Sequence, residues 1–379
     1  MDKKVKPSDF GRAWIEIDLN ALRHNLTDIR TNLPDNCEVM AIVKADAYGH
    51  GANEVANQLF KEGVNIFAVA TVAEGVELRK TIPDGDILVL GYSHPRDTEL
   101  LYVNKLSQLI VDEAHAKALN DTGFIVHIHI AIDTGMHRLG IEPSNLAEIE
   151  KIFTYENLSV KGVATHLASP DSFEEDDINF TKTQIDKFLN VVQKLKDKGY
   201  NTGKLHAQSS YGIYNYPDLK CDYVRPGIML YGVHSQADDT IIKTGLRPML
   251  SLRAVIAQVR WIGAGESVSY GRQYRSEKPI KLATVNIGYA DGIPRQLTGN
   301  GGECIVKGHR VPIVGRVCMN MLMLDVSEVE SVTAGDIATF IGKDGEEEIR
   351  CEELAEAAGT ITNDILAGLS ARLPRIYSK

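Results

Sequence analysis

Short apolar strands alternate with amphipathic helical segments through the first 243 residues, and this alternation constrains the fold more than any other feature. Most gaps between the strands place Leu, Ile or Phe at spacings of three and four, for example over 52–62 and 178–198, which is typical of helices with one buried face. Eight strands alternating with helices over about 240 residues predict a (β/α)8 barrel of the TIM type. The predicted strands are Val39–Val43, Asn65–Ala70, Ile87–Gly91, Ser107–Val111, Ile125–Ala131, Val160–His166, Lys204–Gln208 and Asp222–Arg225.

The pattern changes near residue 244, where long helical segments give way to strand-like ones. Turn-forming pairs, among them Gly299-Asn300, separate these segments. We therefore predict an α/β protein of two domains, a barrel over 1–243 and a mainly-β domain over 244–379. The strands predicted in the second domain are Met249–Trp261, Ile280–Ile287, Glu303–Val314, Met321–Val326 and Asp336–Ile341.

Composition excludes several classes of function. A net charge of −10 argues against nucleic acid or an anionic membrane surface as the main partner. The five cysteines are scattered without a CxxC pair, which favours reduced thiols over a disulfide framework or a metal site. The charged N-terminus is unlike a secretory signal, and no apolar run is long enough to span a bilayer. These features predict a cytoplasmic protein.

Lys44 directly follows the first predicted barrel strand. Barrels of this type place their active sites at the carboxyl ends of the strands. Burial at such a position disfavours the charged ammonium, which is what a lysine that forms a Schiff base requires. Taken alone, Lys44 is more often a lysine that reaches into water.

Several other strand ends bring polar side chains to the same face of the predicted barrel. Singly, each is more often a surface charge, a core histidine or an ordinary turn. Together, on the functional face, they indicate a site. They are Arg138 after the fifth strand, His166 at the end of the sixth, His206, Ser209 and Ser210 at the seventh, and Arg225, Gly227 and Ile228 at the eighth.

This set of residues is consistent with pyridoxal phosphate as a cofactor. The loops after strands seven and eight are the usual phosphate site of the barrel, where Ser210 and the backbone around Gly227 could donate hydrogen bonds. Arg225 would face the pyridine nitrogen. Because a guanidinium does not give up its proton, the ring nitrogen would stay unprotonated and the ring would be a weaker electron sink.

Seven motifs resemble those of the alanine racemase family, in the family's order and over nearly the whole chain. The resemblance implies a racemase of L- and D-alanine that depends on pyridoxal 5'-phosphate and supplies D-alanine for peptidoglycan. It implies that Lys44 binds the cofactor covalently, Tyr48 contacts its phosphate, Arg138 holds its phenolate oxygen, and His206 supports Arg225. The motifs are AIVKADAYGHG (41–51), DTGMHRLG (133–140), ATH (164–166), VRPGIMLYG (224–232), VSYGRQY (268–274), GYADG (288–292) and GRVCMN (315–320).

The resemblance also assigns roles to residues of the second domain. Tyr270 is similar to the family's second catalytic base, which reaches the site from the partner subunit, so a homodimer with composite active sites is expected. Lys44 would serve the D-face of the substrate and Tyr270 the L-face. Met319 would meet the substrate carboxylate through its backbone amide, and Tyr289 would be an entry-gate tyrosine. From the residues alone, Tyr270 could also be an ordinary strand tyrosine.

Four positions depart from the family's pattern. Ala131 replaces a lysine that is often carbamylated, and Asn320 replaces a carboxylate. Ser209 replaces the asparagine of an asparagine-serine pair, and Ala371 replaces a tyrosine that touches the phosphate and narrows the site. Arg138 would then be oriented by Asn320, by water or by a bound anion.

Three alternative functions remain open at this stage. A roomier site, and the likeness of QSSYG (208–212) to the racemase portion of membrane-bound serine racemases, make serine a second candidate substrate. Two further alternatives are an amino-acid decarboxylase on the same fold, whose cysteine motif is absent, and a non-catalytic pyridoxal-phosphate carrier. A carrier is a single barrel and leaves the second domain unexplained.

Overall fold

A computed structural model describes residues 11–235 and 240–379. Its N-terminal part is a closed barrel of eight parallel strands, β2 to β9, in chain order. The last strand pairs with the first, since Glu38 lies opposite Tyr223 and Val39 opposite Val224. The predicted (β/α)8 barrel is confirmed. The strands are β2 (Glu38–Ile42), β3 (Ile66–Val69), β4 (Asp86–Val89), β5 (Leu106–Ile110), β6 (Val126–Ala131), β7 (Leu158–Ala164), β8 (Lys204–Ser209) and β9 (Tyr223–Arg225).

Helices surround the barrel and bury their apolar faces against it. Helix α4 (Val72–Thr81), for example, is capped by Thr71, whose side chain accepts a hydrogen bond from the amide of Glu74. This helix buries Val72 and Leu78. No helix in the described ranges is long and apolar enough to cross a membrane. The helices of the first domain are α1 (Leu19–Thr31), α2 (Lys44–Tyr48), α3 (Ala52–Lys61), α4 (Val72–Thr81), α5 (Thr98–Val103), α6 (Glu113–Asn120), α7 (Leu146–Ile152), α8 (Glu175–Asp197) and α9 (Ser210–Asn215).

Alternation along β2 determines which side chains enter the barrel. Ala41 and Val43 belong to the large apolar core between strands and helices. Met40 and Ile42 belong to a separate cluster inside the barrel. Because side chains alternate along a strand, Lys44 continues the inward series of Met40 and Ile42. The sequence of β2 thus directs the lysine toward the barrel mouth.

The second domain is built on a nine-stranded sheet, and the prediction of a mainly-β domain is confirmed. Its longest strand, β10, pairs with three other strands. Two short strands, β11 and β12, pair separately, and two helices complete the domain. The elements are β10 (Leu250–Ile262), β11 (Ser267–Val268), β12 (Tyr274–Arg275), β13 (Ile280–Val285), β14 (Glu303–Val306), β15 (His309–Val314), β16 (Leu322–Asp325), β17 (Ile337–Asp344), β18 (Glu347–Ile349), α10 (Cys351–Ala358), α11 (Thr362–Ala367) and β19 (Arg375–Ser378).

The first strand of the chain, β1 (Ala13–Asp18), lies in the sheet of the second domain. It runs antiparallel to β10, with Ile15 opposite Leu252, and parallel to β19. A segment from the start of the chain therefore completes the C-terminal sheet. The single domain boundary at residue 243 stays a prediction.

The C-terminal elements also contact the turn that follows Lys44. The Nε of Arg375 donates to the carbonyl of Gly49 at 2.9 Å, and the hydroxyl of Tyr377 donates to the carbonyl of His50 at 3.1 Å. A Cβ placed on Gly49 would lie 2.1 Å from the carbonyl oxygen of Leu366. The second domain therefore packs directly against the segment that holds the lysine.

Candidate active site

A cavity of about 470 Å³ opens at the carboxyl ends of the barrel strands. The structure gathers there every site residue that the sequence predicted in the first domain. Ala131 also lines the cavity. The predicted residues that line it are Lys44, Tyr48, Arg138, His166, His206, Ser209, Ser210, Arg225, Gly227 and Ile228.

A turn of left-handed helix begins directly after Lys44. Ala45, Asp46, Ala47 and Tyr48 all have φ between 51° and 54°, and Gly49 follows with φ of 77°. For residues other than glycine this conformation costs about 1–2 kcal/mol each. Such strain persists only where the surroundings hold the backbone in place.

The environment of Lys44 favours its neutral amine. Burial is the main cause that lowers its pKa, and the positive charges of Arg138 and Arg225 lower it further. The carboxylate of Glu74 acts in the opposite direction. An unprotonated lysine amine is a nucleophile that can attack a carbonyl group.

Arg225 is fully enclosed and makes four hydrogen bonds. Its Nη1 donates to Nδ1 of His206 at 2.8 Å, and its Nη2 donates to the carbonyls of Thr165 at 2.7 Å and Ala207 at 3.0 Å. Nη2 also lies 3.0 Å from Nδ1 of His166. Burial lowers the pKa of Arg225 to about 10, so it stays protonated at neutral pH. Within the described residues no carboxylate pairs with it.

These contacts and burial determine the protonation states of His129, His166 and His206. Because Nδ1 of His206 accepts from Arg225, its proton lies on Nε2, which donates to Nδ1 of His129 at 2.8 Å. Burial, followed by the charge of Arg225, lowers the pKa of His166 and of His129 to about 3. The same causes hold the pKa of His206 well below its usual value. All three imidazoles are therefore neutral at pH 7.

Hydroxyl and amide groups form the opposite side of the cavity. Oγ of Ser210 accepts from the amide of Gly227 at 2.9 Å, which leaves its own hydroxyl proton to donate. A Cβ on Gly227 would lie 2.7 Å from the hydroxyl of Tyr48, so only glycine fits between them. Burial raises the pKa of Tyr48 to about 12, which keeps its phenol protonated as a donor. This group of donors suits an anion such as a phosphate.

Arg138 reaches the cavity from the loop after β6. In the described part of the chain, no carboxylate pairs with its guanidinium. Asp133, the only acidic residue among the described lining residues, accepts instead from the amides of Gly135 and His137, both at 3.0 Å. The cavity thus contains two arginines, one lysine whose pKa is lowered, and one carboxylate that is already engaged. Asn320, expected beside Arg138, does not line the cavity of its own chain.

Tyr270, Tyr289 and Met319 do not line this cavity either. They lie in the second domain with exposed fractions of 69%, 42% and 55%, and we call them the exposed tyrosine surface. Backbone hydrogen bonds join the segments of Tyr289 and Met319, since the amide of Tyr289 donates to the carbonyl of Cys318 at 3.0 Å and that of Ala290 to the carbonyl of Met319 at 2.9 Å. Next to Tyr270, the hydroxyl of Ser269 donates to the carbonyl of Arg316 at 2.7 Å. One chain therefore contains both the cavity residues and the exposed tyrosine surface, but the two groups do not share one cavity.

Two residues near the site were not found from the sequence. His129 could have been recognised, because it lies two positions before Ala131 and so on the same inward face of β6. Glu74 accepts from the amide of Ala45 at 2.8 Å. Its position on an amphipathic helix indicates only a surface carboxylate. Among the described residues no cluster of His, Cys, Asp or Glu is arranged to hold a metal ion.

Models of protein families match both domains. The model of the alanine racemase N-terminal domain matches residues 17–235, and that of the alanine racemase C-terminal domain matches residues 249–377. The chain belongs to the alanine racemase family. The resemblance of the seven motifs is confirmed, and the second match covers a domain that a single-barrel carrier lacks.

Curated relatives in this family share about two fifths of their residues with the chain. The alanine racemase of Carboxydothermus hydrogenoformans is 41% identical over 96% of this chain and 99% of its own length. Two amino-acid racemases of Enterococcus faecalis are each 40% identical over 96% and 98% of this chain. The chain spans only 51% and 52% of those two proteins, about half of their length.

Solved structures in the family superpose closely on this fold. The alanine racemase of Bacillus anthracis with bound L-Ala-P has a TM-score of 0.90 at 33% identity, and the match covers 100% of this chain and 96% of that one. The alanine racemase of Bartonella henselae with covalently bound pyridoxal phosphate has a TM-score of 0.85 at 30% identity, covering 97% and 100%.

Proposed function

We propose that this chain interconverts L- and D-alanine with pyridoxal 5'-phosphate as its cofactor. The observation on which the proposal depends is one cavity that contains both Lys44, with a lowered pKa, and a buried Arg225 that pairs with no carboxylate among the described residues. Relatives named alanine racemase over nearly their whole length support the reaction. The covalently bound pyridoxal phosphate of the Bartonella henselae protein supports the cofactor.

The donors of the cavity fit such a cofactor. Tyr48, Ser209, Ser210 and the amides around Gly227 and Ile228 would hold the phosphate, where the missing side chain of Gly227 leaves room beside the Tyr48 hydroxyl. Arg225 would face the ring nitrogen and His166 the ring. When bound, the cofactor withdraws electrons from the α-carbon of the amino acid and makes its proton acidic.

The residues of the chain then bind the substrate and move its proton. Lys44 Nζ would bind the cofactor covalently before substrate arrives. Once the substrate amine has replaced it, the freed amine of Lys44 would move the α-proton on the D-face. Arg138, which has no carboxylate partner in the described ranges, would hold the phenolate oxygen and attract the substrate carboxylate. Arg225 keeps its own proton because a guanidinium remains charged even with a pKa of about 10. It would therefore leave the ring nitrogen unprotonated, a state that favours return of the α-proton over side reactions.

Racemisation removes the α-proton from one face and returns one to the other, so a second base on the opposite face is simpler than one base that moves across. Among the described residues lining the cavity, His166 is too weak a base, Tyr48 is held protonated, and Asp133 is engaged by two backbone amides. We propose that Tyr270 of a second copy supplies this base, with Tyr289 at the entrance and the amide of Met319 at the substrate carboxylate. The protein would then be a homodimer with composite active sites. The positive charges of Arg138 and Arg225 would favour the phenolate form of Tyr270, which is the form that accepts the α-proton.

The assay that tests the activity follows L-alanine in deuterated water with the purified, cofactor-loaded protein. We expect D-alanine to appear with deuterium at the α-carbon. Release of carbon dioxide would identify a decarboxylase, and unchanged L-alanine would contradict the proposal. We propose that the protein acts in the cytoplasm and supplies D-alanine for peptidoglycan. Expressing it in a strain that requires D-alanine would test this role, and we expect growth without added D-alanine.

Serine is the second candidate substrate. Ala371 is exposed beside the exposed tyrosine surface, where the neighbouring Arg372 donates to the carbonyl of Ala290 at 2.6 Å. Ala371 does not line the cavity of its own chain. Where this segment approaches the substrate, a methyl group would leave more room for a hydroxymethyl side chain than the family's tyrosine does. The broader name of the Enterococcus faecalis relatives, amino-acid racemase, is consistent with a wider range of substrates. The ratio of kcat/KM for L-alanine and L-serine decides between them.

A further inference from the structure

The left-handed turn after Lys44 needs external support. Four consecutive residues that are not glycine, Ala45 to Tyr48, have positive φ. L-residues rarely adopt this conformation even singly. A regular right-handed turn here would change the direction in which the chain leaves β2 and so the position of the lysine.

The carboxylate of Glu74 contacts the start of this turn. Oε1 of Glu74 accepts from the amide of Ala45, the residue directly after Lys44, at 2.8 Å. Oε2 accepts from the amides of Ala70 at 2.6 Å and Thr71 at 3.2 Å, where β3 leads into α4. Glu74 therefore joins the turn to the next βα connection of the barrel.

We propose that Glu74 is a positioning residue for Lys44, whose carboxylate holds the first peptide of the left-handed turn and thereby fixes the lysine at the barrel mouth. The inference rests on the proposed function, because it concerns the residue that would bind the cofactor. Glu74 is not expected to touch substrate or cofactor, since it does not line the cavity.

The chemistry of these contacts requires a carboxylate. All three partners are N–H donors, and an ionised carboxylate offers only acceptors. A glutamine in the same place would present its NH2 group to at least one of these donors. The position near the N-terminus of α4 also favours a negative charge.

The charge of Glu74 has a second effect on the lysine. Burial and the charges of Arg138 and Arg225 lower the pKa of Lys44, and Glu74 raises it. Loss of the Glu74 charge should therefore lower the pKa of Lys44 further. Loss of the contact alone should misplace the lysine without this shift.

The test compares Glu74→Gln, Glu74→Asp and Thr71→Ala. Thr71→Ala is the matched control, because it removes the hydroxyl that caps α4 and keeps the contact between Glu74 and Ala45. Two quantities are measured: kcat and KM of the loaded enzyme, and the pH midpoint for reductive methylation of Lys44 in the cofactor-free protein, followed by mass spectrometry.

We expect Glu74→Gln to lower kcat by about tenfold to a hundredfold, since small misplacements of a catalytic group have effects of this order, and to move the methylation midpoint to lower pH. Glu74→Asp, which keeps the charge on a shorter side chain, should lower kcat without that shift. Thr71→Ala should leave kcat within about twofold of the parent and the methylation midpoint unchanged, because its lost cap affects the helix alone.

Two results would overturn the inference. One is a Glu74→Gln protein with the parent's kcat and midpoint. The other is a Thr71→Ala protein with the same loss as Glu74→Gln, which would assign the effect to the start of α4. If Glu74→Gln does not fold, Glu74→Asp decides: unchanged kcat then refutes the positioning role. A parent protein without racemase activity would instead refute the proposed function.

Discussion

Mixing two inactive variants should restore racemase activity if each site uses residues of two chains. Lys44→Ala removes the base at the barrel mouth, and Tyr270→Phe removes the base on the exposed tyrosine surface. Each variant alone should lose at least about a hundredfold to ten-thousandfold in kcat, the usual contribution of a general base. The structure separates the two groups within one chain, since Tyr270 does not line the cavity that contains Lys44.

The expected magnitude follows from counting sites. Random exchange of equal amounts gives mixed dimers as about half of all dimers, since the interface of a symmetric dimer is the same in each. In a mixed dimer one site combines both substitutions and the other combines an intact Lys44 with an intact Tyr270. About a quarter of all sites are then native, so the mixture should regain about a quarter of the parent's specific activity.

The assay follows D-alanine formation through D-amino-acid oxidase after the two variants are unfolded and refolded together. The control mixes Lys44→Ala with Arg138→Ala. Both substitutions lie on the barrel side, so each site of their mixed dimer contains one defect and no activity should return. If Lys44→Ala and Tyr270→Phe also fail to restore each other while forming mixed dimers, Tyr270 does not act across the interface.

Four further predictions follow from the site. Arg225→Lys should lower kcat/KM at least about a hundredfold, because one ammonium cannot replace four guanidinium hydrogen bonds; steady-state kinetics that match the parent would contradict this. Gly227→Ala should weaken cofactor binding by about 1–3 kcal/mol, since its Cβ would lie 2.7 Å from the Tyr48 hydroxyl, as a titration of cofactor absorbance would show. Ala371→Tyr should lower kcat/KM for L-serine more than for L-alanine, and equal losses would remove Ala371 from substrate choice. Burial lowers the pKa values of His50, His129 and His166 to about 4, 3 and 3, so below about pH 6.5 the unfolded chain binds protons that the folded chain does not. In urea unfolding of the cofactor-free protein, the free energy of unfolding should fall from pH 7 to 5 by up to about 1.4 kcal/mol per pH unit for each histidine. A free energy of unfolding that does not change with pH would be evidence against neutral buried imidazoles.

The barrel and its cavity could be predicted because their signals are local. Alternation along β2 places Lys44 in series with Met40 and Ile42, and parallel strands bring their carboxyl ends to one face. The predicted site residues of the first domain lie at or after the ends of strands that the apolar pattern predicts. A resemblance of motifs then added roles that spacing alone does not give.

Features that depend on distant pairing could not be predicted in the same way. Nothing near Ala13–Asp18 indicates that this strand pairs with β10, more than two hundred residues away. The predicted strand Glu303–Val314 is two strands, because Lys307 and Gly308, with φ of 51° and 75°, form a tight turn between them. The left-handed turn has no glycine before Gly49, so its sequence lacks the usual signal for positive φ.

The electrostatics of the cavity explain why a second base would come from another chain. Burial together with the charges of Arg138 and Arg225 favours the neutral amine of Lys44. The same burial and the same arginines lower the pKa of His166 to about 3, so the nearest imidazole cannot serve as a base of useful strength. A carboxylate placed there would pair with an arginine and remove the positive charge that the cofactor and substrate need. A phenol from another chain would avoid both problems, because the positive charges of Arg138 and Arg225 would favour its phenolate, the form that accepts a proton.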